Sequence, residues 1–446
     1  MKTIRYKRVV DAFAQDIRNG RLRPGERLPT HRNLARMNRL ALATASRVYA
    51  ELEQMGLVTG ETGRGTFVRD RAYPPGSSRD LQLSRPGAID LNFSSPSIPR
   101  QTGLLREALR RLAGAGDLEP SLHYQPYLGR THEREIVARH LTERGLSIPG
   151  SQVAIVSGAQ HGLAVILMSL LQPGQVIAVD ELTYAGFKSL AQTLRIELAP
   201  VPLTRNGLDT QQLERLCTLR RIRALYVMPT LHNPLGDVMS MAARHRLVTL
   251  ARRHDLLIIE DAAYAFLVPN PPPPLAALAP ERTLYVSSLS KSIATGLRFG
   301  FVAAPEKFIE PIERAIRSTT SNVPALISSI ACAWIEDGTV LKLEAEKRKD
   351  AAARQAIVDR VLAGLPIRRH PFSYFAWLPL GEDSRSNSVA AALAKQGISV
   401  ATAEPFAVTT HIPRAIRLAL GSVDIATLEK ALRQVRSVVE QDGLDA

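Results

Sequence analysis

The chain has 446 residues, 45% hydrophobic and 22% charged, which excludes general disorder, a collagen-like repeat and a coiled-coil rod. Two cysteines, Cys217 and Cys332, are too few for a disulfide scaffold or a Cys-built zinc site, and apolar runs such as Leu163–Leu171 are too short to span a bilayer. The net charge is +15, from 57 Lys+Arg against 42 Asp+Glu.

The charged start MKTIRYKRVV precedes no apolar segment, so no signal peptide is expected, and with so few cysteines a cytoplasmic location is expected. Residues 1–70 hold 14 Lys and Arg against 7 Asp and Glu, a net +7. Such a surplus fits either a polyanion partner or a solvated basic face. Val9, Val10, Phe13 and Ile17 share one face of a helix over 6–19, with Gly20 as its stop. Pro24-Gly25 marks a turn, and Thr30 is the expected N-cap of a second helix holding Leu34, Ala35 and Met37. A third helix is expected over 44–55, with Val48, Tyr49 and Leu52 inward and Gly56 ending it. The pieces LVTGE and GTFVRD follow, joined by Thr62-Gly63-Arg64-Gly65. Three helices and a glycine-tipped hairpin make a winged helix-turn-helix, whose third helix suits the major groove of double-stranded DNA.

The string GRLRPGERLPTHRNLARMNRLALATASRVYAELEQMGLVTGETGRGTFV resembles the GntR family of bacterial repressors through G-x-L-x-x-G-x-x-L-P, R-x-L-A, T-x-x-x-x-Y-x-x-L, G-L and G-x-G-T-F-V. The resemblance implies that Arg32 and Arg47 lie on the DNA side and that Gly63, Arg64, Gly65 and Thr66 form the wing. Thr44 and Ser46, near the groove-facing start of the third helix, are the expected readers of sequence. Ala41-Leu42 stands where the family usually has Ser-Arg, which removes a frequent contact to phosphate or base.

Residues 71–89, rich in Pro, Gly, Ser and charge, read as a linker between a DNA-binding domain (1–70) and a larger domain (90–446). Beyond residue 150 strand-like runs alternate with helical stretches: VAIV (153–156), VIAV (176–179), RALYVM (223–228), LLIIED (256–261), TLYVS (283–287) and FGFVAA (299–304). The fold class expected is multidomain α/β: a mostly parallel sheet covered by helices, a site at the C-terminal ends of its strands, and a smaller α+β lobe after about residue 340.

Polar clusters stand at those strand ends. Ser288-Leu289-Ser290-Lys291 places a lysine between small hydroxyls, where it can form a Schiff base with an aldehyde cofactor, and Arg298 can clamp a phosphate. Alone, S-x-S-K also fits an exposed loop lysine. Asp261, in Glu260-Asp261-Ala262-Ala263-Tyr264, follows an apolar strand where an acid needs a cationic partner such as a pyridinium nitrogen. Asn233, in His232-Asn233-Pro234-Leu235-Gly236, offers an amide to a phenolic oxygen. Ser157-Gly158-Ala159-Gln160 opens a helix whose N–H groups can bind phosphate, and Tyr184 can stack on a ring. Each cluster taken singly also reads as a cap, a turn or a core tyrosine; all five in this order do not read as coincidence.

The ordered set resembles fold-type I pyridoxal 5′-phosphate enzymes of the aminotransferase group over about residues 90–440. The resemblance implies that Lys291 forms the Schiff base, Asp261 pairs with the pyridine nitrogen, Asn233 and Tyr264 contact the phenolate oxygen, and Tyr184 stacks on the ring. It implies Gly158, Ala159, Gln160, Ser288, Ser290 and Arg298 around the phosphate, joined by Tyr124 of a neighbouring subunit in a homodimer. Arg417 matches the arginine that grips an amino acid's α-carboxylate. His370-Pro371-Phe372-Ser373-Tyr374 replaces a frequent Gly-Gly, so bulkier residues are expected on the substrate side of the pocket.

From end to end the chain resembles the MocR-type regulators, a GntR-type winged helix fused to an aminotransferase-like domain. The function implied is a transcription factor that senses pyridoxal phosphate, or an amine or amino acid joined to it as an aldimine at Lys291. The same residues also serve an aminotransferase, so enzyme and regulator are the competing classes at this point.

Overall fold

The computed structural model describes residues 2–18, 21–23, 25–61, 65–69, 89–93, 96, 100–114, 118–204, 206–382 and 384–444. Gly20, the wing residues Gly63 and Arg64, and positions 71–88 of the expected linker lie outside them.

Helices α1 (Lys2–Arg18), α2 (His31–Asn38) and α3 (Leu42–Gln54) pack on a core that includes Val10, Leu34, Val48 and Leu52. The Thr30 hydroxyl accepts the Asn33 N–H at 3.3 Å and caps α2. α3 begins at Leu42 rather than Thr44, on an Ala41 N-cap that has no side chain to offer the first turn. Strands β1 (Val58–Glu61) and β2 (Gly65–Val68) form the antiparallel hairpin, with Glu61 opposite Gly65.

A short strand β3 (Ile89–Leu91) comes next, then α4 (Gln101–Ala113) and α5 (Thr131–Thr142). The large domain then alternates: β4 (Val153–Val156), α6 (Ala159–Leu170), β5 (Val176–Asp180), α7 (Ala185–Thr193), β6 (Glu197–Val201), a small hairpin of β7 (Leu203–Thr204) and β8 (Gly207–Leu208), and α8 (Thr210–Leu219). It continues through β9 (Ile222–Val227), α9 (Met241–Arg253), β10 (Leu257–Asp261), α10 (Leu275–Leu278), β11 (Thr283–Ser288), α11 (Leu289–Ser292) and β12 (Gly300–Ala303). These strands make a 7-stranded sheet in the order β4-β12-β11-β10-β9-β5-β6. β12 alone runs antiparallel to its neighbours. Its central strands are apolar on both faces, as a sheet covered by helices on both sides requires. β6 is the strand that the apolar runs miss: Glu197 and Pro200 are exposed on an edge, where alternation is weak and proline is tolerated.

After α12 (Ile309–Arg317) and α13 (Ala325–Glu336), the long helix α14 (Thr339–Val361) leads into the smaller lobe. There β13 (Arg368–Arg369), β14 (Phe375–Pro379), α15 (Ser386–Lys395), β15 (Ile398–Thr402), β16 (Ala415–Ala419) and α16 (Ile425–Leu444) follow. Its 5-stranded sheet runs β13-β14-β16-β15-β3, so it takes in the strand at the start of the larger domain. Ile89, the last residue of the expected linker, is already paired in that strand. No helix among the described residues is long and apolar enough to cross a membrane.

Candidate functional site

The C-terminal ends of β4, β9, β10 and β11 converge, as parallel strands place their following loops on one edge. Lys291 leaves β11 through the single turn of α11, half-buried, with its Nζ 5.8 Å from the centre of the Tyr264 ring. Asp261, last residue of β10, is buried. Its Oδ1 accepts the Ala263 N–H at 3.0 Å and its Oδ2 accepts the Tyr226 hydroxyl at 2.8 Å. Both donors are neutral, and burial pushes this carboxyl above its usual range. A carboxyl so placed gains a matched partner when a cationic ring nitrogen approaches it.

The phosphate end is built on α6. Gly158 is its N-cap at φ 84°, so the backbone turns and leaves the first N–H groups pointing outward. The Arg298 guanidinium donates to the Ser157 carbonyl at 3.2 Å, and a Cβ on Gly158 would fall 3.0 Å from its Nη2. Ser290 Oγ and Gln160 Oε1 are buried with no hydrogen-bond partner, which leaves two polar atoms for an anion's hydroxyl or water shell. Ser288, buried at the end of β11, completes the edge. Tyr184 caps α7 and lies over Gly186, where a Cβ would fall 2.4 Å from the tyrosine's Cζ. Gly300 permits the close approach beneath: its Cβ would fall 2.7 Å from the Gly158 backbone. Gly300→Ala is therefore expected to cost about 1–3 kcal/mol and to loosen the phosphate cradle, read as a lower melting temperature with faster cofactor loss.

Arg417, on β16, enters this space from the smaller lobe. It is 7% exposed and donates to Asn233 Oδ1 at 3.2 Å and to the Asn92 carbonyl. These partners are neutral, and its Nε has none. A buried guanidinium with neutral partners is completed by a ligand's carboxylate.

The expected residues Gly158, Ala159, Gln160, Asn233, Asp261, Tyr264, Ser288, Ser290, Lys291, Arg298, Tyr184 and Arg417 thus gather at one sheet edge. Tyr124 does not join them within the chain; it is 89% exposed. The bulk expected from His370–Tyr374 does not enter the pocket as a whole. Tyr374 turns into the core, wholly buried, and its hydroxyl donates to the Lys347 carbonyl at 3.0 Å. Tyr226, the donor to Asp261, escapes sequence reasoning because it reads as one more residue of an apolar strand; its ring also stacks on Phe187 at 3.7 Å.

On the winged helix, Arg32 is exposed at the start of α2, and Ser46 Oγ lies 2.9 Å from His31 Nδ1, so the starts of α2 and α3 adjoin. Gly65 and Thr66 lie in β2 beside the wing tip. Thr44 is half-buried in the first turn of α3. Arg47 is exposed on α3, and its guanidinium lies 4.8 Å over the Tyr6 ring of α1.

Fold and site together define a DNA-binding domain joined to an aminotransferase-like domain. Residues 5–68 match the family described as bacterial regulatory proteins, gntR family, and residues 86–435 match aminotransferase class I and II. The chain belongs to the HTH-type transcriptional regulators that combine these two parts. It is 30% identical to the uncharacterized HTH-type transcriptional regulator YdeF of Bacillus subtilis, over 98% of this chain and 94% of that one. It is 26% identical to the HTH-type pyridoxine biosynthesis transcriptional regulator PdxR of Corynebacterium glutamicum, over 95% and 93%. The fold is shared with a multiple substrate aminotransferase from Thermococcus profundus, at a TM-score of 0.76 and 24% identity, covering 84% of this chain and 97% of that one. Its family makes pyridoxal 5′-phosphate the cofactor, and the buried acid, the open helix N-terminus and the orphaned hydroxyl fit that group.

Proposed function

We propose that this DNA-binding regulator senses pyridoxal 5′-phosphate, alone or joined to an amine or amino acid, and that it works as a cytoplasmic homodimer. When bound, the cofactor supplies an aldehyde that condenses with amines and a ring that draws electrons from the attached carbon. Lys291 holds it covalently, Asp261 steadies the ring nitrogen's proton, and Arg298 with the start of α6 binds the phosphate. Arg417 grips a carboxylate. The regulatory name of the Corynebacterium relative favours the cofactor itself as one signal. The homodimer is supported by Tyr124, 89% exposed, and by the exposed leucines Leu105, Leu109, Leu118 and Leu122 that precede it in the chain, at 37–83%.

One observation carries the regulatory reading: the winged helix is ion-paired to the lobe that bears Arg417. Arg385, just ahead of α15, donates to both carboxylate oxygens of Asp11 and to the Lys7 carbonyl, and its Nε lies 3.3 Å from Glu51 Oε1. Segment 403–414 connects this contact to the pocket. At one end Arg414 lies 3.7 Å from Asp11. At the other, the Phe406 ring lies 5.1 Å from the Arg417 guanidinium, the Phe406 carbonyl accepts from Thr183 beside Tyr184, and Lys188 of α7 donates to Glu404 and Ala407. A change at Arg417 or Tyr184 therefore bears on the backbone that meets the DNA-binding domain. Arg385→Ala is expected to keep the cofactor's visible spectrum while any ligand effect on operator affinity falls from the usual coupling range of about 5–150-fold to within about twofold. Asp11→Asn, cutting the same contact from the other side, should do likewise. Full ligand response in both variants contradicts this route.

A further inference from the structure

Lys347, on α14, is 0% exposed. Its Nζ donates to the carbonyls of Lys291 at 3.1 Å, Ile293 at 2.8 Å and Pro96 at 2.8 Å. An ammonium has three N–H donors, and here each meets one carbonyl. Two of those carbonyls belong to the cofactor lysine and to the residue that ends its helical turn. The third belongs to the segment whose Asn92 carbonyl accepts from Arg417. One buried side chain thus ties the Lys291 turn to the chain beside the carboxylate grip. The charged groups that face it are Lys291, Asp350 and Glu344. Both acids are engaged elsewhere: Asp350 lies 2.8 Å from Arg354, and Glu344 pairs with Arg144. The Tyr374 hydroxyl lies within hydrogen-bond distance of both the Lys347 carbonyl and Asp350, which share its one hydrogen, and the Gln101 amide gives the Ile293 carbonyl a further donor. Burial first, and the Lys291 charge second, pull the Lys347 ammonium down to about 7.

We propose that Lys347 is a positioning residue for Lys291: it fixes the turn that carries the cofactor lysine and sets a positive charge behind it. A cation there disfavours a second cation on the Lys291 nitrogen once that nitrogen is linked to the cofactor. The proposal rests on cofactor binding at Lys291 and not on any response to operator DNA, so the two fail separately. The test uses full-length protein loaded with pyridoxal 5′-phosphate and two neutral variants, Lys347→Met with no donor and Lys347→Gln with two. Three quantities are read: the pH midpoint of the cofactor's visible band, its loss rate on dialysis against excess competing aldehyde trap, and the melting temperature. Both variants are expected to raise the midpoint by up to about one pH unit, the effect of deleting one nearby charge at partial burial, and by less where the midpoint lies above about 7, since Lys347 is itself charged mainly below that pH. Lys347→Met should also lose cofactor at least about tenfold faster, as the loss of charge-assisted hydrogen bonds predicts, with Lys347→Gln between it and the parent. If Lys347→Met does not fold, the midpoint of Lys347→Gln decides. A lowered melting temperature with the parental midpoint and loss rate makes Lys347 a structural residue only and overturns the proposal.

Discussion

Replacing Lys291 with alanine should abolish the covalent hold on pyridoxal 5′-phosphate. The parent protein should be yellow, with a band well to the red of its aromatic absorption, and borohydride reduction followed by peptide mapping should label Lys291. The variant should show neither the permanent label nor colour that survives dialysis. The reason is positional. Lys291 emerges from β11 at the sheet edge where Asp261, Tyr264 and Arg298 gather. Lys347 is spent on three carbonyls, and Lys188 on two carbonyls of segment 403–414. Residual loose binding is expected through Arg298, α6 and Asp261, which the substitution leaves in place. Borohydride labelling of Lys347 or Lys188 instead would contradict the assignment.

Removal of residues 1–74 should eliminate specific DNA binding while the remaining chain still takes up cofactor. Residues 1–70 carry a net +7, and phosphate neutralisation gives a log–log salt slope of about −0.9 per contact. Arg32 projects from the start of α2, exposed, so Arg32→Ala should weaken binding to all sequences and reduce that slope by about one. Ser46, held against His31 where α2 and α3 adjoin, is the expected reader of sequence, so its replacement should change sequence preference. Arg47→Ala should have a smaller effect on the slope than Arg32→Ala, since its guanidinium covers Tyr6. A truncated protein of residues 75–446 that binds the operator at full affinity would refute the assignment.

What could be read from sequence was local. Thr30, Gly158 and the Ser288–Lys291 run announce caps, turns and strand ends through neighbours a few residues apart, and the apolar runs of β4, β5, β9, β10, β11 and β12 are continuous because both faces are covered. What stayed hidden depends on residues far apart in the chain. Lys347 lies in KLEAEKRKDAAARQ, a stretch that reads as a solvated charged helix until the carbonyls of Pro96, Lys291 and Ile293 close around it. Arg385 reads as loop polarity until Asp11 and Glu51 meet it. Arg47 lies 4.8 Å over Tyr6 of α1, a contact between helices that spacing within α3 does not announce. The strand β3 pairs with β15 across most of the chain, and three residues carry too little pattern to announce it.

The most direct test is operator affinity measured at one salt concentration with cofactor-free protein, with cofactor-loaded protein, and with loaded protein given a panel of amines and amino acids. At least two of these states should differ by about 5–150-fold, and Arg417→Ala should remove any amino-acid response while sparing a response to the cofactor alone. Equal affinity in all states, accompanied by rapid steady transamination, would contradict the sensing account and leave an aminotransferase in its place.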